Sequence, residues 1–237
     1  MKIVKNIILG FVISFYCINA NGQDNLIKDD LLKLNLHYST LNSYSMSFEV
    51  QYINDDSKVF FKQKGKVVHS PSIHYSDVAG NITLVNGIEF ISIIKDRQMM
   101  YYNKNKDQVK KQMENIDITK RIDSLYAKND LYKYSYLTTG KGKKRIFIEN
   151  RNEKKTYDAF EIIIDSKTNR LLEFKYYIKS NSQNNLNEIR IIYLQENTKA
   201  NLKLPFLKLK YYVKGSDKQK RVSENFTSYR LIDQTKK

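Results

Sequence analysis

The chain has 237 residues, with 41 lysines and arginines against 25 aspartates and glutamates, and a formal net charge of +16. Such a surplus favours anionic partners: lipid head groups, lipopolysaccharide, acidic polymers or nucleic acid. The charges are spread along the chain rather than blocked, so a composition that simply keeps the protein in solution accounts for them too. The single cysteine, Cys17, falls in the N-terminal apolar run, which excludes disulfides, thiolate metal sites and a cysteine nucleophile from the chain beyond it.

Lys2 and Lys5 precede an apolar run from Ile7 to Ile18, and the small residues Ala20 and Gly22 follow it. That order is a secretory signal, and the run is too short for a spanning helix of about 20 residues. Residues 1–22 are therefore expected to be removed, with Gln23 as the new N-terminus. Bulky Tyr16 before Cys17 argues against a lipid anchor. Residues 23–237 are enough for one domain with a sizeable core, expected in the periplasm or cell envelope.

Asp24 can cap a helix over about Asn25–Leu41, with Ile27, Leu31, Leu34, Tyr38 and Leu41 on one stripe. Tyr44, Met46, Phe48, Val50 and Tyr52 then alternate with polar residues, the pattern of a half-buried strand. The turn Asn54–Ser57 leads into a second strand, Lys58–Lys64. Gly65 opens a third, through His69, before a bend at Pro71. Asn86-Gly87 between two β-rich runs, Asn81–Val85 and Ile88–Ile94, predicts a tight hairpin. Lys95–Arg97 turns the chain into Met99–Tyr102.

From Asn103 to Asn129 the alternation stops. Val109 and Met113 suggest one short helix, and Ile118, Ile122, Leu125 and Tyr126 a better one. Strands resume with Tyr132, Tyr134 and Tyr136, turn at Gly140–Gly142, and continue as Arg145–Glu149, Tyr157–Ile164, Leu171–Lys179 and Glu188–Leu194. Phe206–Val213 and Glu224–Ile232 are the last strand candidates. Turns every dozen residues or so predict an antiparallel meander rather than βαβ units. Runs such as Ile162-Ile163-Ile164 are apolar on both faces, which fits a sheet covered on one side and lining a cavity on the other.

This element order resembles the periplasmic outer-membrane lipoprotein carrier superfamily, the LolA-like and LolB-like proteins. The resemblance spans Leu26 to Ile232. It is carried by the opening helix running into Leu41-Asn42-Ser43-Tyr44-Ser45-Met46-Ser47-Phe48, by Lys64-Gly65-Lys66-Val67, and by Pro71 ahead of Ile73-His74-Tyr75. Leu84-Val85-Asn86-Gly87, Tyr157–Asp165 and Thr168-Asn169-Arg170-Leu171 carry the rest. It implies a mainly β fold: a curved antiparallel sheet forming an incomplete barrel, with an N-terminal helix and mid-chain helices plugging the concave side. The family's Arg before the Pro, which holds the lid closed, is replaced here by Ser70, so the resemblance leaves that switch in doubt. Fold alone does not fix function.

The chain shows no nucleophile elbow, phosphate-binding loop, dinucleotide fingerprint or metalloprotease helix, and no cofactor is implied. His69 and His74, five apart, are read as lying on opposite faces of a strand, which argues against metal. Tyr132-Lys133-Tyr134 and Lys208–Tyr212 mix cations with rings, yet an exported protein seldom meets nucleic acid, and alternating tyrosines suit sheet packing. A carboxylate pair brought together only in space stays open. The expected function is non-catalytic: a monomer with a hydrophobic cavity for lipid or the acyl chains of lipoproteins, with an anionic membrane surface as a second partner. Tyr44, Met46, Phe48, Val50, Phe90, Met99, Ile122 and Leu125 are the residues expected to line it. The alternative is an envelope scaffold whose barrel is filled by its own side chains. Residues 103–129 would be either a lid or a fixed plug.

Overall fold

The computed structural model describes residues 25–54, 56–104, 107, 109, 131–137, 140, 142–151, 157–178, 186–216 and 219–235. Helix α1 covers residues 25–39. Ile27, Leu31, Leu34 and Tyr38 recur every three or four residues, share one stripe, and are each at most 2% exposed. Burying each contributes about 1.5–3 kcal/mol before ordering entropy is set against it. Packing, more than propensity, therefore holds so short a helix. It ends at Thr40, whose hydroxyl and amide both donate to the Leu36 carbonyl, at 2.8 and 3.1 Å. The expected cap, Asp24, lies outside the described residues.

The strands are β1 (Tyr44–Asn54), β2 (Val59–His69), β3 (Ile73–Val78), β4 (Asn81–Asn86), β5 (Glu89–Ile94) and β6 (Met99–Asn103). They continue as β7 (Tyr132–Leu137), β8 (Lys143–Asn150), β9 (Tyr157–Asp165), β10 (Leu171–Ile178), β11 (Leu186–Asn197), β12 (Val213–Lys214), β13 (Arg221–Val222) and β14 (Arg230–Asp233). Twelve of these form one open sheet in the order β14-β6-β5-β4-β3-β2-β1-β11-β10-β9-β8-β7, the incomplete barrel expected, while β12 and β13 pair separately. Two antiparallel meanders, β1–β6 and β7–β11, meet where β1 pairs with β11. Only β14 breaks the meander, running parallel to β6.

Register partners share a face of the sheet. Tyr44, His69, His74, Val85, Phe90 and Asn103 are partners in succession from β1 to β6. Met46, Phe48 and Val50 extend this face along β1. From Val50 it runs through Ile191, Phe174 and Ile162 to Ile146. Helix α1 packs here against Tyr44, Met46, Ile146, Ile148, Phe160 and Ile162. The opposite face holds a second core, with Val68, Tyr75, Leu84, Ile91 and Tyr102 in register. Leu207, Tyr212 and Val213 from the C-terminal segment cover it. The two covering layers thus lie on opposite faces and over different strands, α1 over β1 and β8–β10 and the C-terminal segment over β2–β6.

Four expectations about elements are corrected. Lys58–Lys64 and Gly65–His69 are one strand, β2: a Cβ at Gly65 would overlap the Phe48 ring, so this glycine permits close approach and does not interrupt the strand. The segment 206–213 is two 3-10 turns, Pro205–Leu207 and Leu209–Tyr211, ending in the short β12. Lys208 stands extended between the two turns, and the segment buries Leu207 and Tyr212 against the sheet. Glu224–Phe226 is a further 3-10 turn, so only Arg230–Asp233 of the last candidate is strand. Finally, Asn86 pairs with Glu89, which makes Gly87 and Ile88 the turn, with Gly87 at φ +63° as a type II′ turn requires. Asn86 instead donates its side-chain amide to the Leu207 carbonyl at 3.0 Å, tying the hairpin to its cover. The predicted mid-chain helices lie outside the described residues, except that Val109 is helical and buried.

Candidate functional site

Six of the eight residues expected to line a cavity, Tyr44, Met46, Phe48, Val50, Phe90 and Met99, stand on the face that carries α1. Ile122 and Leu125 lie outside the described residues. Tyr44, Met46, Phe48 and Val50 are 2–7% exposed, whereas Phe90 and Met99 are half-buried. Tyr44 stacks on His69 with centroids 5.0 Å apart, and Phe48 meets Tyr193 at 6.0 Å. Phe90 and Met99 sit at the β5–β6 end of the face, four or more strands from Tyr44.

His69 and His74 correct the sequence reading. The bend at 70–72 places them on β2 and β3 as register partners, hence on the same face, with their Nδ1 atoms 3.5 Å apart. Counting five residues along one strand fails because the chain reverses between them. Among the described residues, no group of three or more His, Cys, Asp or Glu side chains converges as a metal site would require.

Two carboxylates fix α1 to the sheet. Glu196, on β11, has its side chain 4% exposed and accepts from the Tyr38 hydroxyl at 2.9 Å. His37 Nε2 lies 3.0 Å from the same carboxylate, and Arg170 pairs with it at 3.4 Å. Desolvation, then the charge of Glu196, pushes the Tyr38 hydroxyl well above its ordinary 10, so it stays a donor. At the other end, Asp30 is 6% exposed and accepts from Tyr136 and Lys144. Burial first, then Asp30, likewise raises Tyr136. Around this second anchor lies an open pocket of about 660 Å³, lined by Leu26, Asp29, Asp30, Lys33, Tyr136, Leu137 and Lys144. None of the six described residues among the expected ligand residues lines it.

On the opposite face, Glu161 is fully buried. It accepts from Arg145 Nε at 2.5 Å and Tyr177 at 2.9 Å, with Lys175 at 3.7 Å. Desolvation works against the carboxylate, but Arg145, Tyr177 and Lys175 together outweigh it and hold the group below the ordinary carboxylate value. A carboxylate so saturated with donors stays charged and is suited to holding strands β8, β9 and β10 together, not to moving protons. Sequence reasoning missed all three charged clusters. Asp30 alone carries a signal, as an acid set on the apolar stripe of α1. The partners, 106 and 114 residues away in sequence, carry none.

No protein-family model matches the chain, and no curated protein matches it. Among solved structures it is similar to an uncharacterized conserved protein from Thermus thermophilus, at 10% identity and TM-score 0.49, over 88% of this chain and 99% of that one. It is also similar to the lipoprotein LppX of Mycobacterium tuberculosis, at 11% identity and TM-score 0.45, over 75% and 98%. A LolA superfamily protein from Nitrosomonas europaea aligns at 8% identity and TM-score 0.33, over 73% and 93%. The superfamily is the one that the sequence resembles. At these scores the likenesses say nothing of ligand or partner.

Proposed function

We propose that the chain is an exported, non-catalytic binding protein, a single domain after loss of residues 1–22, that holds lipid or an acyl chain against the helix-bearing face of its sheet. The observation that carries this reading is the uncovered end of that face. Apolar side chains fill it from Ile146 to Val50, where α1 packs; His69 and His74 interrupt them on β2 and β3, and Val85 and Phe90 resume them on β4 and β5. Phe90 and Met99, half-buried, are then the accessible end of the face, and Tyr44, Met46, Phe48 and Val50 its floor. No helix among the described residues is long and apolar enough to cross a membrane.

A second reading is favoured by the same burial values. Tyr44, Met46, Phe48 and Val50, at 2–7% exposed, fall within the range of the buried core, which is what a filled barrel serving as an envelope scaffold requires. Titration with a fluorescent fatty acid separates the two. The binding reading expects saturable uptake that weakens several-fold in Phe90→Ser and Met99→Ser while the thermal transition is kept. Absence of saturable uptake supports the scaffold.

A further inference from the structure

The β1–β2 hairpin carries the largest run of exposed apolar side chains on any described strand: Val59, Phe60 and Phe61 are 46%, 57% and 48% exposed. Its outer edge is also open. Strand β2 pairs with β3 only from Gly65 to His69, so Val59–Lys64 has β1 on one side and no strand on the other among the described residues. The register slips between Tyr52 and Ile53, opposite Phe61 and Val59, which makes Phe60 the extra residue of a bulge. Both rings gather at Tyr52, at 6.4 and 5.5 Å. Lys58, Lys62 and Lys64 flank them and are exposed.

An open edge with exposed aromatics is a liability unless something uses it. We propose that this edge docks the protein on an anionic lipid surface, with Val59, Phe60 and Phe61 in the interface and Lys58, Lys62 and Lys64 at the head groups. Interleaved lysines select lipid over a protein partner, because lysine is depleted in protein interfaces and its long stem reaches head groups from beside an inserted ring. The net charge, +16 for the whole chain and +14 without Lys2 and Lys5, draws the protein to such a surface. Asp56 occupies the hairpin turn and is exposed, so tip-first insertion would bury an acid, whereas edge-on docking leaves the turn in water. Phe61, in register with Tyr52, lies on the helix-bearing face beyond Val50, but none of Val59, Phe60 and Phe61 is among the residues proposed to hold a ligand.

The chain contains no tryptophan, so Phe60→Trp gives a single reporter at an exposed position. On vesicles of phosphatidylcholine with phosphatidylglycerol, its emission shifts to the blue and becomes shielded from an aqueous quencher. On phosphatidylcholine alone it changes little. Adding Lys62→Gln and Lys64→Gln weakens vesicle binding about thirtyfold, at roughly a fivefold loss per lysine. Wild-type protein sediments with the mixed vesicles and the double variant Phe60→Ser/Phe61→Ser does not. Unshifted emission on the mixed vesicles overturns the proposal, whether or not the protein sediments. So does an equal shift on both compositions, undiminished sedimentation of the serine variant, or a concentration-dependent shift without vesicles, which would give the edge to a second copy of the chain.

Discussion

Replacing Gly65 with alanine tests the packing of the helix-bearing face at one atom. Gly65 is not among the glycines held at positive φ, so its backbone accepts a side chain. In an open strand, alanine would be better than glycine by about 0.5–1 kcal/mol. Here the new methyl overlaps the Phe48 ring, which lies over Gly65 from the partner strand. Overpacking of this kind costs about 1–3 kcal/mol, so the clash outweighs the backbone gain and the net loss is about 1–2 kcal/mol. Urea unfolding should show a lower midpoint at unchanged slope. In a Phe48→Leu background the ring is absent, and Gly65→Ala should become neutral or mildly stabilising. The two sites then couple by about 1.5–3 kcal/mol in a double-mutant cycle. An equal loss in both backgrounds would show that Gly65 is not there to admit the ring, and the reasoning would be wrong.

Leu31→Ala, at a position 1% exposed, should cost about 2–5 kcal/mol in urea unfolding, while Leu36→Ala, 61% exposed on the outer side of α1, should stay within about 0.5 kcal/mol. Asp30→Ala removes the acceptor for Tyr136 and Lys144 and should cost about 1–3 kcal/mol; Lys144, a third exposed, can turn to water, which keeps the loss at the low end. Glu161→Gln should lose about 2 kcal/mol at neutral pH. Because the folded carboxyl titrates below its ordinary 4.5, its contribution is fully present above that value and fades as pH falls below it, so the gap between wild type and Glu161→Gln, followed by thermal melts, should close in acid. N-terminal sequencing of the exported protein should read Gln23 first; a chain still beginning at Met1 would remove the export reading.

The parts of the fold that were legible are those where one residue type at one period decides the element. The α1 stripe and the alternation of β1 are both of this kind, and both are found where expected, to within two residues. The sequence misleads where a residue type has two meanings. Gly65 reads as an interruption because glycine is rare inside strands, yet it is there for a neighbour on another strand. Phe206 to Tyr212 reads as strand because it is rich in aromatic residues and leucine, although Pro205 just ahead of it opens a 3-10 turn. His69 and His74 were separated by a rule for one strand when Pro71 had already marked a reversal. The ligand face was legible only as candidate positions, since alternation identifies side chains on one face and says nothing of whether that face is filled. The clusters around Asp30, Glu161 and Glu196 are made by pairings across the sheet, and one sequence contains no record of them.

The account rests on the helix-bearing face holding an apolar ligand. Native mass spectrometry of protein purified gently from the cell envelope tests this directly. It should show a species heavier than the chain by the mass of a lipid or acyl compound, released on unfolding and recovered by organic extraction. Protein that repeatedly flies at the mass of the bare chain, with nothing extracted, would contradict the account and leave a barrel filled by its own side chains.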